Sequence, residues 1–191
     1  ATSQWPAAAF SFVEAAGVGY VGKLLQWLRP SARPRVNDDL AGLPARYRPV
    51  CRPQLTGLDT EAGVALAAQV LHAMGLEQGL APLVLLVGHG SQSSNNAHAS
   101  ALDCGACCGQ TGEVNARSLA RLLNEPAVRA GLQVRGINIA ATTWFVAALH
   151  NTTTDEIEGF DLDLLPPAAA QQWRKLQPVL AHAGDQVRRE R

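Results

Sequence analysis

The chain has 191 residues, 16 basic and 16 acidic side chains, and no formal net charge. That length suits one domain with a real core, and the balanced charge argues against a nucleic-acid binder, which carries a basic surplus. No apolar run reaches the roughly 18 residues of a membrane-spanning helix, and four cysteines (Cys51, Cys104, Cys107, Cys108) are too few and too clustered for a secreted disulfide framework. The opening residues do not read as a signal peptide. The first residue is Ala1 and the single methionine is Met74, from which a segment of something longer is expected.

In chain order, residues 7–28 place Phe10, Val13, Tyr20, Val21, Leu24, Leu25 and Leu28 at helical spacing, so residues 1–29 are expected to form an N-terminal helical segment. Residues 30–59 hold Pro30, Pro34, Pro44, Pro49 and Pro53 with little periodicity and read as a Pro/Arg-rich connector. Residues 60–165 are expected to form an α/β core. It begins with an amphipathic helix over 60–76, with Thr60 as N-cap and Gly75 near its end. A buried strand follows over 82–87, leading into the polar stretch GHGSQSSNN. A helix is predicted over 113–123 and a short one over 126–132, stopped by Gly131. Residues 134–139 and 143–149 read as two strands, rich in β-branched and aromatic side chains. Residues 166–191 read as one C-terminal helix with a kink site at Pro178 and a basic end. The alternation of helices and strands indicates an α/β fold.

The chemistry-bearing residues sit after the predicted strands, where open α/β sheets bind ligands. His89 follows the first strand, and Cys104, in the later stretch Asp103-Cys104-Gly105-Ala106-Cys107-Cys108, lies fifteen residues on. Imidazole and thiolate are zinc ligands, and one flexible loop lets them converge, although the spacing matches no zinc finger. The same stretch reads alternatively as a structural or phosphate-binding glycine-rich loop, and Cys104 with Cys107 reads as a redox pair. Ser91 lacks the GxSxG setting of a hydrolase nucleophile. His150, after the second strand, reads either as functional or as part of a turn held by the HNTTTD side chains. Asn115 and Arg117 open a helix, where they face solvent or pair with an acid near the cysteines. Two charged runs stand out as candidate partner surfaces: residues 23–52, with a net charge of +5, and residues 155–163, with five acids and no base.

The motifs GHGSQSSNN, ALDCGACCGQTGEVNARSLARLLN, EPAVRAGL and ALHNTTTDEI, in that order, resemble the DabA family. The resemblance implies the peripheral subunit of an energy-coupled inorganic-carbon (CO2/bicarbonate) pump, on the cytoplasmic face of the bacterial inner membrane. It implies a partner, a DabB-like membrane subunit related to cation antiporters. It also implies a partial β-carbonic anhydrase-like sheet flanked by helices, with a Zn2+ site that hydrates CO2. Carried over residue by residue, the family's zinc histidine falls on His89 and its later zinc cysteine on Cys104. Cys107 lies in the same stretch without being assigned as a ligand, and Cys108 stands where the family pattern has glycine. The family's other two ligands form a Cys-x-Asp pair, and no Cys-x-Asp occurs in these 191 residues. The resemblance therefore implies half of a site here, a chain inactive in CO2 hydration by itself, and two ligands supplied from upstream. An inactive scaffold or binding segment is the alternative.

Overall fold

The computed structural model describes residues 51–92, 104–107 and 110–190. The expected N-terminal helix, most of the connector, and residues Asp103 and Cys108 lie outside them. The first helix, α1 (Thr60–Ala73), starts at Asp59, whose Oδ1 accepts the Ala62 N–H at 2.7 Å, so the cap lies one residue before the expected Thr60. It ends where Gly75 turns left-handed (φ 65°). Gly75 N–H then reaches the His72 carbonyl and Leu76 N–H the Leu71 carbonyl, a pairing that satisfies two end carbonyls at once.

Strand β1 (Leu83–Gly90) runs three residues beyond the expected end and takes in Gly88, His89 and Gly90. Helices α2 (Glu113–Asn124) and α3 (Pro126–Val134) carry the chain back to strand β2 (Trp144–Asn151), which pairs in parallel with β1. A parallel pair needs such a crossover, because a tight turn can only reverse the chain. Strand β3 (Glu156–Gly159) then folds back antiparallel on β2, giving a mixed sheet in the order β1-β2-β3. The last helix, α4 (Pro167–Glu190), continues through Pro178. The fold class is thus α/β, as the sequence indicates.

Alternation along the strands sorts the two faces. Leu86, Phe145 and Ala147 face the helices and share a core with Val64, Ala67 and Leu71 of α1, Ala116, Ala120 and Leu123 of α2, and Val128 and Leu132 of α3. On the other face Gly159 is the register partner of Ala148, and Trp173 of α4 packs against it so closely that a Cβ there would stand 2.5 Å from the indole. Central β2 is consequently buried on both sides, which its apolar run WFVAAL reflects. Beyond the reach of β3, the Asn124 side chain takes the place of a neighbouring strand. Its amide donates to the Phe145 carbonyl at 2.8 Å and its oxygen accepts the Phe145 N–H at 3.1 Å.

Three expectations are corrected. Residues 134–139 are not a strand: α3 runs through Val134, and Gly136 (φ 84°) stops it with the same pair of carbonyl contacts that closes α1. The β-branched residues that suggested a strand have separate duties, since Val134 is 89% exposed while Ile137 enters the core. Gly131 does not end α3. It lets α3 approach α1, and a Cβ there would overlap Val64 at 2.3 Å. The second strand after the crossover is instead β3, whose Ile157 alternates with exposed Glu156 and Glu158. Among the described residues no helix is long and apolar enough to cross a membrane.

Candidate functional site

The parallel strands end together. His89 and His150 are register partners, as are Gly90 and Asn151, so the two imidazoles emerge side by side on one face at the carboxyl ends of β1 and β2. His89 is exposed. His150 is partly exposed and lies 3.4 Å through Nε2 from Oδ1 of the buried Asp155, which holds a left-handed backbone (φ 55°).

The HNTTTD stretch between them is a turn. Asn151 Oδ1 accepts N–H groups from Thr153 at 3.0 Å and Thr154 at 3.4 Å, and Asp155 N–H returns to the Asn151 carbonyl at 2.7 Å. The same turn is tied to the end of β1. Thr152 donates its N–H at 2.8 Å and its hydroxyl at 3.1 Å to the Gly90 carbonyl, and Asn151 Nδ2 reaches Gln92 Oε1 at 3.1 Å. The turn reading of these residues therefore holds, and their hydrogen bonds brace the strand that carries His89.

On the other side, the start of α2 is pressed against β1. Gly112 donates its N–H to the His89 carbonyl at 2.8 Å. A Cβ on Gly88 would stand 2.5 Å from the Gly112 carbonyl oxygen, and one on Gly112 would stand 2.9 Å from the Gly88 Cα. Only two glycines allow this approach. Gly88 and Gly90 thus belong to a strand, and Gly88 serves packing.

Two residues before Gly112, Gln110 pairs with Cys104 in a single antiparallel bridge, closed by the Cys104 N–H to the Gln110 carbonyl at 3.0 Å. A 3-10 turn, Gly105–Cys107, lies within that bridge. Cys104 is buried, and its sulfur lies 2.9 Å from that of Cys107, which donates to it. Asn115 Nδ2 in turn donates to Cys107 Sγ at 3.2 Å. Asn115 thus faces the cysteines from the first turn of α2.

Arg117 meets acids from a different quarter. Its side chain is 6% exposed and binds Glu113 at 2.8 Å, both carboxylate oxygens of Asp161 at 2.8 and 2.9 Å, and the Cys51 carbonyl at 3.2 Å. Phe160 underlies its guanidinium at 5.6 Å. Arg52 also binds Asp161, at 3.1 Å, and pairs with Asp163. Burial by itself would push the Asp161 carboxyl up. The hydrogen bonds and charge of Arg117, and then of Arg52, outweigh it and hold the group below its ordinary value. Likewise burial lowers Arg117, and Asp161 and Glu113 raise it on balance. The end of the basic run and part of the acidic run thus pair with each other within the chain. Arg52, Asp161 and Asp163, which belong to the two charged runs, are engaged with each other in an intramolecular clasp.

Of the two metal-ligating candidates, the strand end carries His89 and the cysteine turn carries Cys104. Two backbone hydrogen bonds, Cys104 N–H to Gln110 and Gly112 N–H to His89, tie both backbones to the same short segment, residues 110–112. An exposed imidazole and a thiol fit Zn2+ in kind. Among the described residues no group of three or more His, Cys, Asp or Glu side chains gathers as a metal site, so two further ligands would come from elsewhere. Sequence reasoning missed the contact of Gly88 with Gly112. The two glycines flanking the loop were the only signal available for it.

These features define an α/β protein with two imidazoles at the carboxyl ends of a parallel strand pair and two thiols in a short turn that precedes α2. The profile of the DabA family, described as "Probable inorganic carbon transporter subunit DabA", matches residues 1–191, and the chain belongs to that family. Its relatives include proteins of that description from Methylovorus glucosotrophus, 70% identical over 191 residues, and Ralstonia pickettii, 71% identical over 189 residues. A more distant one, DabA2 of Halothiobacillus neapolitanus, is 48% identical over 194 residues and 97% of this chain. The chain covers 22% of the length of the first two and 23% of the third, about a fifth of each. No solved structure matches.

Proposed function

We propose that this chain supplies His89 and Cys104 to a zinc site in an inorganic-carbon transporter subunit, where CO2 is hydrated at a β-carbonic anhydrase-like centre. The family description supports the transport role. The observation that supports the site is that the segment Gln110–Gly112 is hydrogen-bonded at one end to Cys104 and at the other to the His89 carbonyl. Zinc held there would supply the Lewis acidity that makes hydroxide available for attack on CO2 near neutral pH, with a water pKa of about 7.

The chain's own residues do the positioning. The β1–β2 register and the Gly112 hydrogen bond fix the backbone of His89, and the bridge to Gln110 fixes that of Cys104. Cys107 donates to the Cys104 sulfur and Asn115 orients Cys107, a relay that fits the support of a charged sulfur ligand. In this reading the remaining ligands belong to other parts of the polypeptide, and CO2 and bicarbonate are substrate and product. The subunit sits peripherally at the cytoplasmic face of the inner membrane, on a DabB-like, cation antiporter-like partner.

The test is zinc content and CO2 hydration in the full-length protein. Stoichiometric zinc that is lost in both His89→Ala and Cys104→Ser is the expected result. Zinc retained in both variants would remove these residues from the site, and a zinc-free wild type would leave a scaffold or binding segment.

A further inference from the structure

We propose that Cys104 and Cys107 form a reversible oxidation site, a dithiol that closes to a disulfide on reaction with a hydroperoxide. Three observations place the pair for it. The sulfurs are already 2.9 Å apart, against about 2.05 Å in a disulfide, so closure needs a movement of about 1 Å. The 3-10 turn between them, with the Cys107 N–H on the Cys104 carbonyl at 3.0 Å, holds both side chains on one side of a short loop. Their exposures differ: Cys104 is buried and Cys107 partly open, and the Asn115 amide pins Cys107 at 3.2 Å.

The order of events follows from that difference. The Cys107 sulfur, having lost its proton to water, attacks the terminal peroxide oxygen. The O–O bond breaks, the leaving oxygen takes up a proton as water, and Cys107 becomes a sulfenic acid. The Cys104 sulfur attacks the Cys107 sulfur, the S–OH bond breaks, and the departing hydroxide takes the Cys104 proton as a second water. Two thiols and one hydrogen peroxide yield one disulfide and two waters.

The site stands on its own geometry, and its consequence rests on the proposed function. If Cys104 is a zinc ligand, the disulfide removes it from the metal and the protein loses zinc when oxidised. The thiol that supports Cys104 when reduced would then be the group that withdraws it.

The experiment uses full-length protein carrying Cys108→Ser, so that the adjacent thiol cannot confuse the assignment. Reduced protein is treated with hydrogen peroxide, quenched with an alkylating agent, and mapped by peptide mass, while released zinc is followed with a metallochromic dye. The expected result is a loss of two hydrogens in the peptide spanning both cysteines, restored by dithiothreitol and absent in Cys107→Ser. Zinc release should be at least tenfold slower in Cys107→Ser, which keeps a hydrogen-bond donor at that position. Alkylation of both sulfurs after peroxide treatment would overturn the proposal, as would a bridge from either cysteine to Cys51. A disulfide that forms in a protein holding no zinc when reduced would sustain the oxidation site and sink the zinc reading.

Discussion

The Arg117–Asp161 clasp offers the sharpest test of the physical account. Asp161→Asn preserves shape and removes one charge. In the native protein Arg117 is 6% exposed and gives Asp161 two hydrogen bonds, at 2.8 and 2.9 Å. Breaking one partner of a buried pair costs about 3–5 kcal/mol, because a charge is left in a poor solvent. Here Glu113 still binds Arg117 at 2.8 Å, and the Asp161 side chain is 22% exposed. Both facts place the loss near the lower end, about 3 kcal/mol. At about 2–4 °C per kcal/mol for a chain of this size, the melting temperature should fall by about 6–12 °C. Arg117→Met should lose a similar amount, since it strands Asp161 and Glu113 and removes the cation above Phe160. The two losses should not add: in Arg117→Met/Asp161→Asn, a coupling of about 2 kcal/mol is expected from a double-mutant cycle by urea unfolding.

The pH dependence follows with a definite sign. A carboxyl held below its ordinary value adds stability above the unfolded value, about 3.9, and loses it as pH falls through the folded value. The gap between wild type and Asp161→Asn should therefore be full at pH 6 and close below pH 4. Single variants that each lose less than about 1 kcal/mol, add without coupling, and keep a constant gap across that range would refute a buried clasp.

Three further outcomes are expected. Gly88→Ala and Gly112→Ala each force a Cβ into backbone that cannot rotate away, at 2.5 and 2.9 Å, and should cost at least about 1–3 kcal/mol by urea unfolding. In the full-length protein both should also lower zinc affinity, measured by chelator competition, since they part His89 from the cysteine turn. Gly136→Ala places a side chain in a left-handed position (φ 84°) with open space around it and should cost about 1 kcal/mol, visible as a lower urea midpoint with unchanged slope. The isolated 191-residue chain should show no CO2 hydration above the uncatalysed rate in a stopped-flow indicator assay, and catalysis by it would contradict a site that draws ligands from elsewhere.

The elements that the sequence determines by itself are those in which local chemistry and packing agree. The Ala- and Leu-rich periodicity of α1 and the Gly75 stop specify a helix, and the core it packs against agrees with them. The apolar run after Pro82 reads as a strand, and the crossover of two helices to WFVAAL gives the α/β class. The order of motifs from GHGSQ to HNTTTD also carries the family. What local pattern could not carry was decided by partners distant in the chain. Val134 and Ile137 look like strand residues, yet the core needs only Ile137, and Gly136 lets the chain turn there. Gly131 reads as a stop but answers to Val64, more than sixty residues earlier. Arg117 reads as either solvent-facing or paired with an acid, and it becomes buried because Asp161 and Glu113, distant and near in the chain, neutralise it. The site divides in the same way. Residue types single out His89 and Cys104 within the chain, whereas the approach of Gly112 to Gly88 brings the strand end and the cysteine turn to one corner. A close backbone contact has no periodicity and no side chain to announce it, so tertiary packing alone decides it.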